Sequence, residues 1–126
     1  MATILIVDDS ETVRVQLSND LIAAGYTTLE ASNGLEGLRM LNTHPDEISL
    51  IFCDVNMPEM DGLSMCRELH KDTAFKNIPI FMLTTQTSIE MKAEGKACGV
   101  VAWIVKPYKK EIVLGGIAKI LARQVR

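Results

Sequence analysis

The chain has 126 residues, 48% hydrophobic and 23% charged, with 13 basic against 16 acidic side chains and a net charge of −3. That length suits about one domain with a real core. The slight acidic excess speaks against nucleic acid or an anionic membrane as the main partner, because both call for a basic face. No apolar run approaches the roughly 18 residues of a membrane span, and the start "MATILIVDD" has no basic leader segment, so a cytoplasmic protein is expected.

The first apolar run, "TILIV" at 3–7, is nearly continuous, as strands buried on both faces of a parallel sheet are. It runs out into Asp8 and Asp9. Ser10 then stands where a helix cap belongs, and Val13, Leu17 and Leu21 recur every four residues through a first helix that Gly25 ends. "YTTLEA" at 26–31 reads as a second strand. Asn33-Gly34 breaks the chain before a helix carrying Leu38 and Leu41, which His44-Pro45 closes. "SLIFCD" at 49–54 reads as a third strand with Asp54 at its end, directly before the turn-rich "VNMPEMDG". Met65 and Leu69 mark the third helix. "IPIFMLT" at 78–84 is the fourth strand, ending on Thr84, and Thr87 or Ser88 can cap the helix that follows. "VAWIV" at 101–105 is the fifth strand and leads to Lys106 and Pro107. Val113, Ile117, Ile120 and Leu121 form the stripe of a last helix. Cys53, Cys66 and Cys98 have no paired spacing, and neither His44 nor His70 accompanies one. Reduced thiols are expected, not a zinc site.

A β-α unit repeated five times implies an α/β fold with a parallel sheet and right-handed crossovers. The expected architecture is a (βα)5 flavodoxin-like three-layer sandwich with strand order 2-1-3-4-5, one domain over residues 1–126. Ligands of such sheets bind beyond the carboxyl ends of the strands where the order reverses, here strands 1 and 3. Topology thus brings Asp8, Asp9 and Asp54 to one crevice. Two unit charges about 4 Å apart repel by roughly 4 kcal/mol at an effective dielectric near 20. Either some of these acids are protonated or a cation holds them. An all-oxygen ligand set suits Mg²⁺, or Mn²⁺, with the backbone carbonyl of Asn56 as a further ligand. Thr84 and Lys106 end the two remaining strands on that side. An ammonium and a hydroxyl beside acids and a divalent ion are what phosphoryl transfer requires, and Asp54 can then serve as the nucleophile.

In this order and at these strand ends, Asp8-Asp9, Asp54 in "DVNMPEMDG", Thr84 and "KP" at 106–107 resemble the receiver domain of two-component response regulators. The likeness covers the whole chain and is greatest to the CheY-like, single-domain chemotaxis type. It implies a phosphoacceptor switch and not an enzyme with a separate substrate: self-phosphorylation from phosphodonors and autodephosphorylation only. By resemblance, Asp54 takes phosphoryl from a histidine kinase. Asp9, Asp54 and the Asn56 carbonyl bind Mg²⁺, and Asp8 acts through a bound water. Lys106 contacts the phosphoryl group, Thr84 moves toward it, and the aromatic Trp103 follows. The Lys106–Pro107 bond is expected to be cis. The face of helix 4, strand 5 and helix 5 then changes its affinity for a partner such as a flagellar motor switch component. A phosphotransfer protein is the alternative partner, in a phosphorelay or phosphate-sink role. A monomer is expected.

The chain departs from the family pattern at three places. Trp103 stands where Tyr or Phe is commoner, Thr85 where a small Ala is frequent, and Gly115-Gly116 interrupt the last helix at a cost of roughly 2 kcal/mol relative to Ala. Gln86 and Asn56 should flank the phosphoryl position and set how fast water attacks it. Two other classes share the topology. A flavodoxin-like cofactor-binding protein would carry a first loop rich in Ser, Thr and Gly, where this chain has "DDSE". An Asp-nucleophile phosphatase would place a second acid two residues after the first, where this chain has Ser10.

Overall fold

The computed structural model describes residues 2–124. Its elements are β1 (Thr3–Val7), α1 (Glu11–Ala23), β2 (Thr27–Ala31), α2 (Gly34–Thr43), β3 (Ile48–Cys53), α3 (Gly62–Lys71), β4 (Ile80–Thr84), α4 (Ile89–Ala97), β5 (Val100–Val105) and α5 (Lys110–Gln124). The five strands are parallel in the order β2-β1-β3-β4-β5, which is the α/β, flavodoxin-like arrangement read from the sequence. Among the described residues no helix is long and apolar enough to cross a membrane.

Side chains alternate across the sheet, and the central strands are apolar on both sides because each side has its own helix layer. Ile4, Ile6, Leu50, Phe52, Phe81 and Leu83 meet Leu17 and Leu21 of α1 and Val113 and Ile117 of α5. Leu5, Val7, Ile51, Cys53 and Met82 meet Leu41 of α2, Met65 and Leu69 of α3, and Met91 of α4. Phe52 and Phe81 stack edge-to-face at 5.2 Å inside the first layer. Edge strands β2 and β5 are less covered, and β5 leaves Val101 and Val105 exposed.

Boundaries differ from the apolar runs where chemistry intervenes. The fourth run opens at Ile78, but β4 begins at Ile80. Pro79 has no N–H to give to the ladder, and its carbonyl accepts from Ile51. Ser10 caps α1 by accepting from the Val13 N–H, and of the two candidates for α4 it is Ser88 that caps, accepting from Met91. His70 is exposed, while His44 is half-buried and pairs with Glu47 at 3.1 Å.

The glycine pair of α5 splits in role. A methyl at Gly115 would meet nothing, whereas one at Gly116 would lie 3.1 Å from Phe81 Cε2. Gly116 is therefore the seat of a core ring, and Gly115 only weakens the helix. Gly115→Ala is expected to stabilise by about 1 kcal/mol through helix propensity. Gly116→Ala should gain less or lose, because Phe81 must shift. Urea unfolding of the two variants measures the difference.

Candidate functional site

Because β1 lies between β2 and β3, the chain leaves β1 toward one face through α1 and leaves β3 toward the other through α3. The two exits part and leave a crevice above the strand ends. Asp8 and Asp54 are the first residues beyond β1 and β3. Their backbones continue the ladder, Asp8 N–H donating to Ala31 O at 3.0 Å and Asp54 N–H to Val7 O at 3.1 Å. Both carboxylates are thus held rigidly where the strands stop, and both are buried, at 2% and 7% exposure. Asp9 is exposed. One carboxylate oxygen from each of Asp8, Asp9 and Asp54 lies within 4.8 Å of the others.

Lys106 reaches in from the end of β5. Its Nζ is 2.7 Å from Asp54 Oδ2 and 2.8 Å from Asp8 Oδ2. Its own N–H donates to Thr84 O at 2.9 Å, locking the ends of β4 and β5 together, and the Lys106–Pro107 bond is cis. The same ion pair has opposite consequences at its two ends. Asp8 is so deeply buried that desolvation raises its pKa above 3.8, with Asp54 adding repulsion and Lys106 and the Ser10 N–H offsetting only part. For Lys106 burial would lower the pKa, but two carboxylates in contact outweigh it and the value rises. The ammonium is therefore secure. Three carboxylates against one ammonium leave an excess of two negative charges when all are ionised.

The donor set fits a hard divalent ion. All three side chains offer oxygen, among the described residues no imidazole or thiolate joins them, and two charges remain to be balanced. Asn56 belongs beside them. Its N–H reaches Asp54 Oδ1 at 3.4 Å, so the loop after β3 folds back onto the carboxylate. Two glycines clamp that loop. Gly34 N–H donates to Met60 O at 3.0 Å, and a methyl on Gly34 would strike Met60. A methyl on Gly62 would sit 2.0 Å from Asp54 O, so the start of α3 presses directly on the Asp54 backbone. Cys53 donates its thiol proton to the same carbonyl at 3.3 Å. The neighbouring Cys66, and then burial, push its pKa far up, and all three cysteines are free.

Thr84 is fully buried at the end of β4, and its Oγ1 accepts from Gln86 N–H at 3.3 Å. Gln86 in turn offers its carbonyl to the indole N–H of Trp103 at 2.7 Å. The larger ring has a matched recess. A methyl on Gly95 of α4 would lie 3.1 Å from Trp103 Cζ3. Gly95 is buried and lets α4 close on the indole.

All the residues named in advance, Asp8, Asp9, Asp54, Asn56, Thr84, Trp103 and Lys106, belong to this crevice or to the hydrogen-bonded chain leading from it. Two further contributors were not anticipated. Arg14 on α1 donates to Asp8 O at 2.6 Å, and Tyr108 donates to Asp20 at 2.7 Å, tying the end of β5 to α1. Burial, then Asp20, raise the Tyr108 pKa. Neither shows in periodicity: Arg14 on α1 looks like any polar helix residue, and Tyr108 lies in the loop between β5 and α5.

The family model for the response regulator receiver domain matches residues 4–117. The chemotaxis protein CheY1 of Helicobacter pylori is 40% identical over 120 residues, covering 89% of this chain and 96% of that protein. A sensor histidine kinase of the same species, CheAY, is 38% identical over 108 residues, which are 86% of this chain but only 13% of that much longer protein. Among solved structures, the chemotaxis protein CheY4 of Vibrio cholerae superposes with a TM-score of 0.87 at 39% identity, covering 94% of this chain and 98% of that one. The CheY of Borrelia burgdorferi, in a complex with CheX, BeF3 and Mg²⁺, superposes with a TM-score of 0.88 at 25% identity, covering 95% and 89%.

Gly62→Ala is expected to cost about 3 kcal/mol, at the upper end of overpacking, because the obstacle is backbone and not a movable side chain; urea denaturation measures it. The raised Asp8 pKa gives a second outcome. Stability of the metal-free protein is lost as pH rises from the ordinary Asp value of 3.8 through the raised one. Asp8→Asn, which cannot ionise, should therefore melt higher than the parent at pH 7 without Mg²⁺, and the gap should close below about pH 4.

Proposed function

The chain belongs to the response regulator receiver family, and from that membership we propose that it is a phosphorylation-driven switch with Asp54 as phosphoacceptor. The whole chain, residues 1–126, is read as one receiver domain. The observation that carries this is Lys106 spanning Asp54 and Asp8 above three carboxylates whose oxygens lie within 4.8 Å of one another.

Asp9, Asp54 and the Asn56 carbonyl, with Asp8 beside them, would hold Mg²⁺. When bound, the ion neutralises the excess charge of the crevice and the charge on the transferred group. The Lys106 ammonium, 2.7 Å from Asp54 Oδ2, holds the carboxylate in place for attack. Its Oδ forms the new bond to phosphorus as the P–N bond of a kinase phosphohistidine breaks, the electron pair leaving with the imidazole nitrogen. Lys106 then passes from the carboxylate to a phosphoryl oxygen, so its charge stays compensated throughout. Thr84 is within the same pair of strand ends and can donate its hydroxyl proton, since the bond it makes to Gln86 uses only a lone pair.

The readout follows the hydrogen-bonded chain. Movement of Thr84 toward a phosphoryl oxygen pulls on Gln86, and Gln86 holds the Trp103 indole. Phosphorylation adds charge and acceptors at one end of this chain and so biases two arrangements of the segment between β4 and α4. Beyond it lies the face of α4, β5 and α5, with Val101 51% and Val105 45% exposed and Ile112 also outside. Lys92 and Lys96 line the groove beside Val101 and Trp103. We take this face as the partner surface. A chemotaxis role, with a histidine kinase upstream and a motor switch component downstream, is supported by the chemotaxis relatives; a phosphotransfer protein is the alternative partner. The flavodoxin-like cofactor reading finds no support, because the loop after β1 presents Asp8 and Asp9 where a phosphate would have to sit.

Acetyl phosphate with Mg²⁺ should label the parent and leave Asp54→Asn unlabelled but folded. Labelling of Asp54→Asn at the parental rate would overturn the assignment. Millimolar Mg²⁺ should raise the melting temperature of the parent. Thr84→Val should still be labelled, more slowly, yet lose the change in Trp103 emission that labelling causes in the parent. An undiminished emission change would break the proposed link from Thr84 to Trp103.

A further inference from the structure

Asp9 is the exposed member of the acid cluster, and among the described residues no hydrogen bond or ion pair holds its carboxylate. Its place is therefore set by its backbone, above all by the peptide joining it to Asp8. That peptide is anchored from α1. Arg14 Nη1 donates to Asp8 O at 2.6 Å, and Arg14 Nε donates to Glu30 Oε1 on β2 at 3.2 Å. The Arg14 side chain is only 15% exposed, so the guanidinium is confined between the turn and the strand. The remaining ties of Asp8 lie elsewhere: its N–H on Ala31 O, its Oδ1 under the Ser10 N–H and its Oδ2 on Lys106. Among the described residues only Arg14 grips the carbonyl, the atom whose direction fixes where Asp9 leaves the turn.

We propose that Arg14 is a positioning residue for the divalent-ion site, holding the Asp8–Asp9 peptide so that the otherwise unheld Asp9 carboxylate faces Asp8 and Asp54. This rests on the receiver reading of the crevice. A lone cation so near would oppose a divalent ion, but Glu30 pairs with it and offsets its charge. Its contribution is then geometric. A planar fork can serve a carbonyl and a carboxylate at once, which a lysine ammonium on a flexible stem does less well. Outer residues that orient metal ligands act in this way, and their loss weakens metal binding far more than it alters the ligands themselves.

The test uses the full chain and MgCl2 as the probe. Calorimetric titration gives the Mg²⁺ affinity of the parent, Arg14→Met, Arg14→Lys and Glu30→Gln, and labelling by acetyl phosphate is followed across Mg²⁺ concentrations. Arg14→Met should weaken Mg²⁺ binding by about tenfold, with the labelling rate at saturating Mg²⁺ within about twofold of the parent. Arg14→Lys, which keeps the positive charge, and Glu30→Gln, which keeps the guanidinium on the Asp8 carbonyl but leaves its charge unanswered, should show smaller shifts in the same direction. Thermal melts run alongside. A lower melting temperature in Arg14→Met with unchanged Mg²⁺ affinity would mean Arg14 only braces the fold, and would overturn the inference. A parent that neither binds Mg²⁺ nor is labelled would overturn the receiver reading itself, and this inference with it.

Discussion

The contact of Lys106 with both Asp54 and Asp8 is the constraint on which the rest of the structure depends. Three carboxylates brought together at the switch point of a parallel sheet repel one another, and one ammonium answers only a third of that charge. The imbalance is sustained because the acids stand on strand ends whose ladders do not yield. A site made this way is poised for a divalent cation and for an incoming group that carries negative charge of its own. Lys106, Asp54 and Asp8 directly follow β5, β3 and β1, so the contact also closes the sheet end across three strands.

From that end a short relay leads outward: Thr84 hydroxyl, Gln86 backbone and Trp103 indole. Two of its links are hydrogen bonds to one residue between β4 and α4, which makes that segment the part where a change at Asp54 and a change at the β5 edge can meet. The indole is large, and it is accommodated by the missing side chain at Gly95. A replacement that looks like overfilling along the chain is thus matched by a vacancy on the neighbouring helix, as close packing requires. The same relation joins Gly116 to Phe81 in the other layer and Gly62 to the Asp54 carbonyl at the site. In each case the glycine matters for what approaches it, not for backbone freedom.

Much of the site was legible because its members sit at strand ends, and strand ends are visible in a sequence as the points where apolar runs stop. Asp8, Asp54, Thr84 and Lys106 each follow or close such a run, and the run order fixes which ends are neighbours. Ser10 and Ser88 as caps were legible for a local reason, since a cap bonds a residue three positions on. Arg14 was not, because its partners are six and sixteen residues away and depend on how α1 lies over β2. The pairing of Trp103 with Gly95 was hidden likewise, because it depends on how α4 packs against β5.

The sequence by itself determined the alternation of strands and helices, the order of the sheet and the meeting of the acids at one end. Those follow from periodicity, from the right-handed crossover and from the need to cover both faces of an apolar sheet. Only the tertiary structure decided the distances: which oxygens the ammonium touches, which glycine stands under which ring, and which guanidinium holds the turn before Asp9. Such contacts join residues far apart in the chain at separations of a few ångströms, and they are fixed by packing of whole elements against one another, which no local pattern encodes.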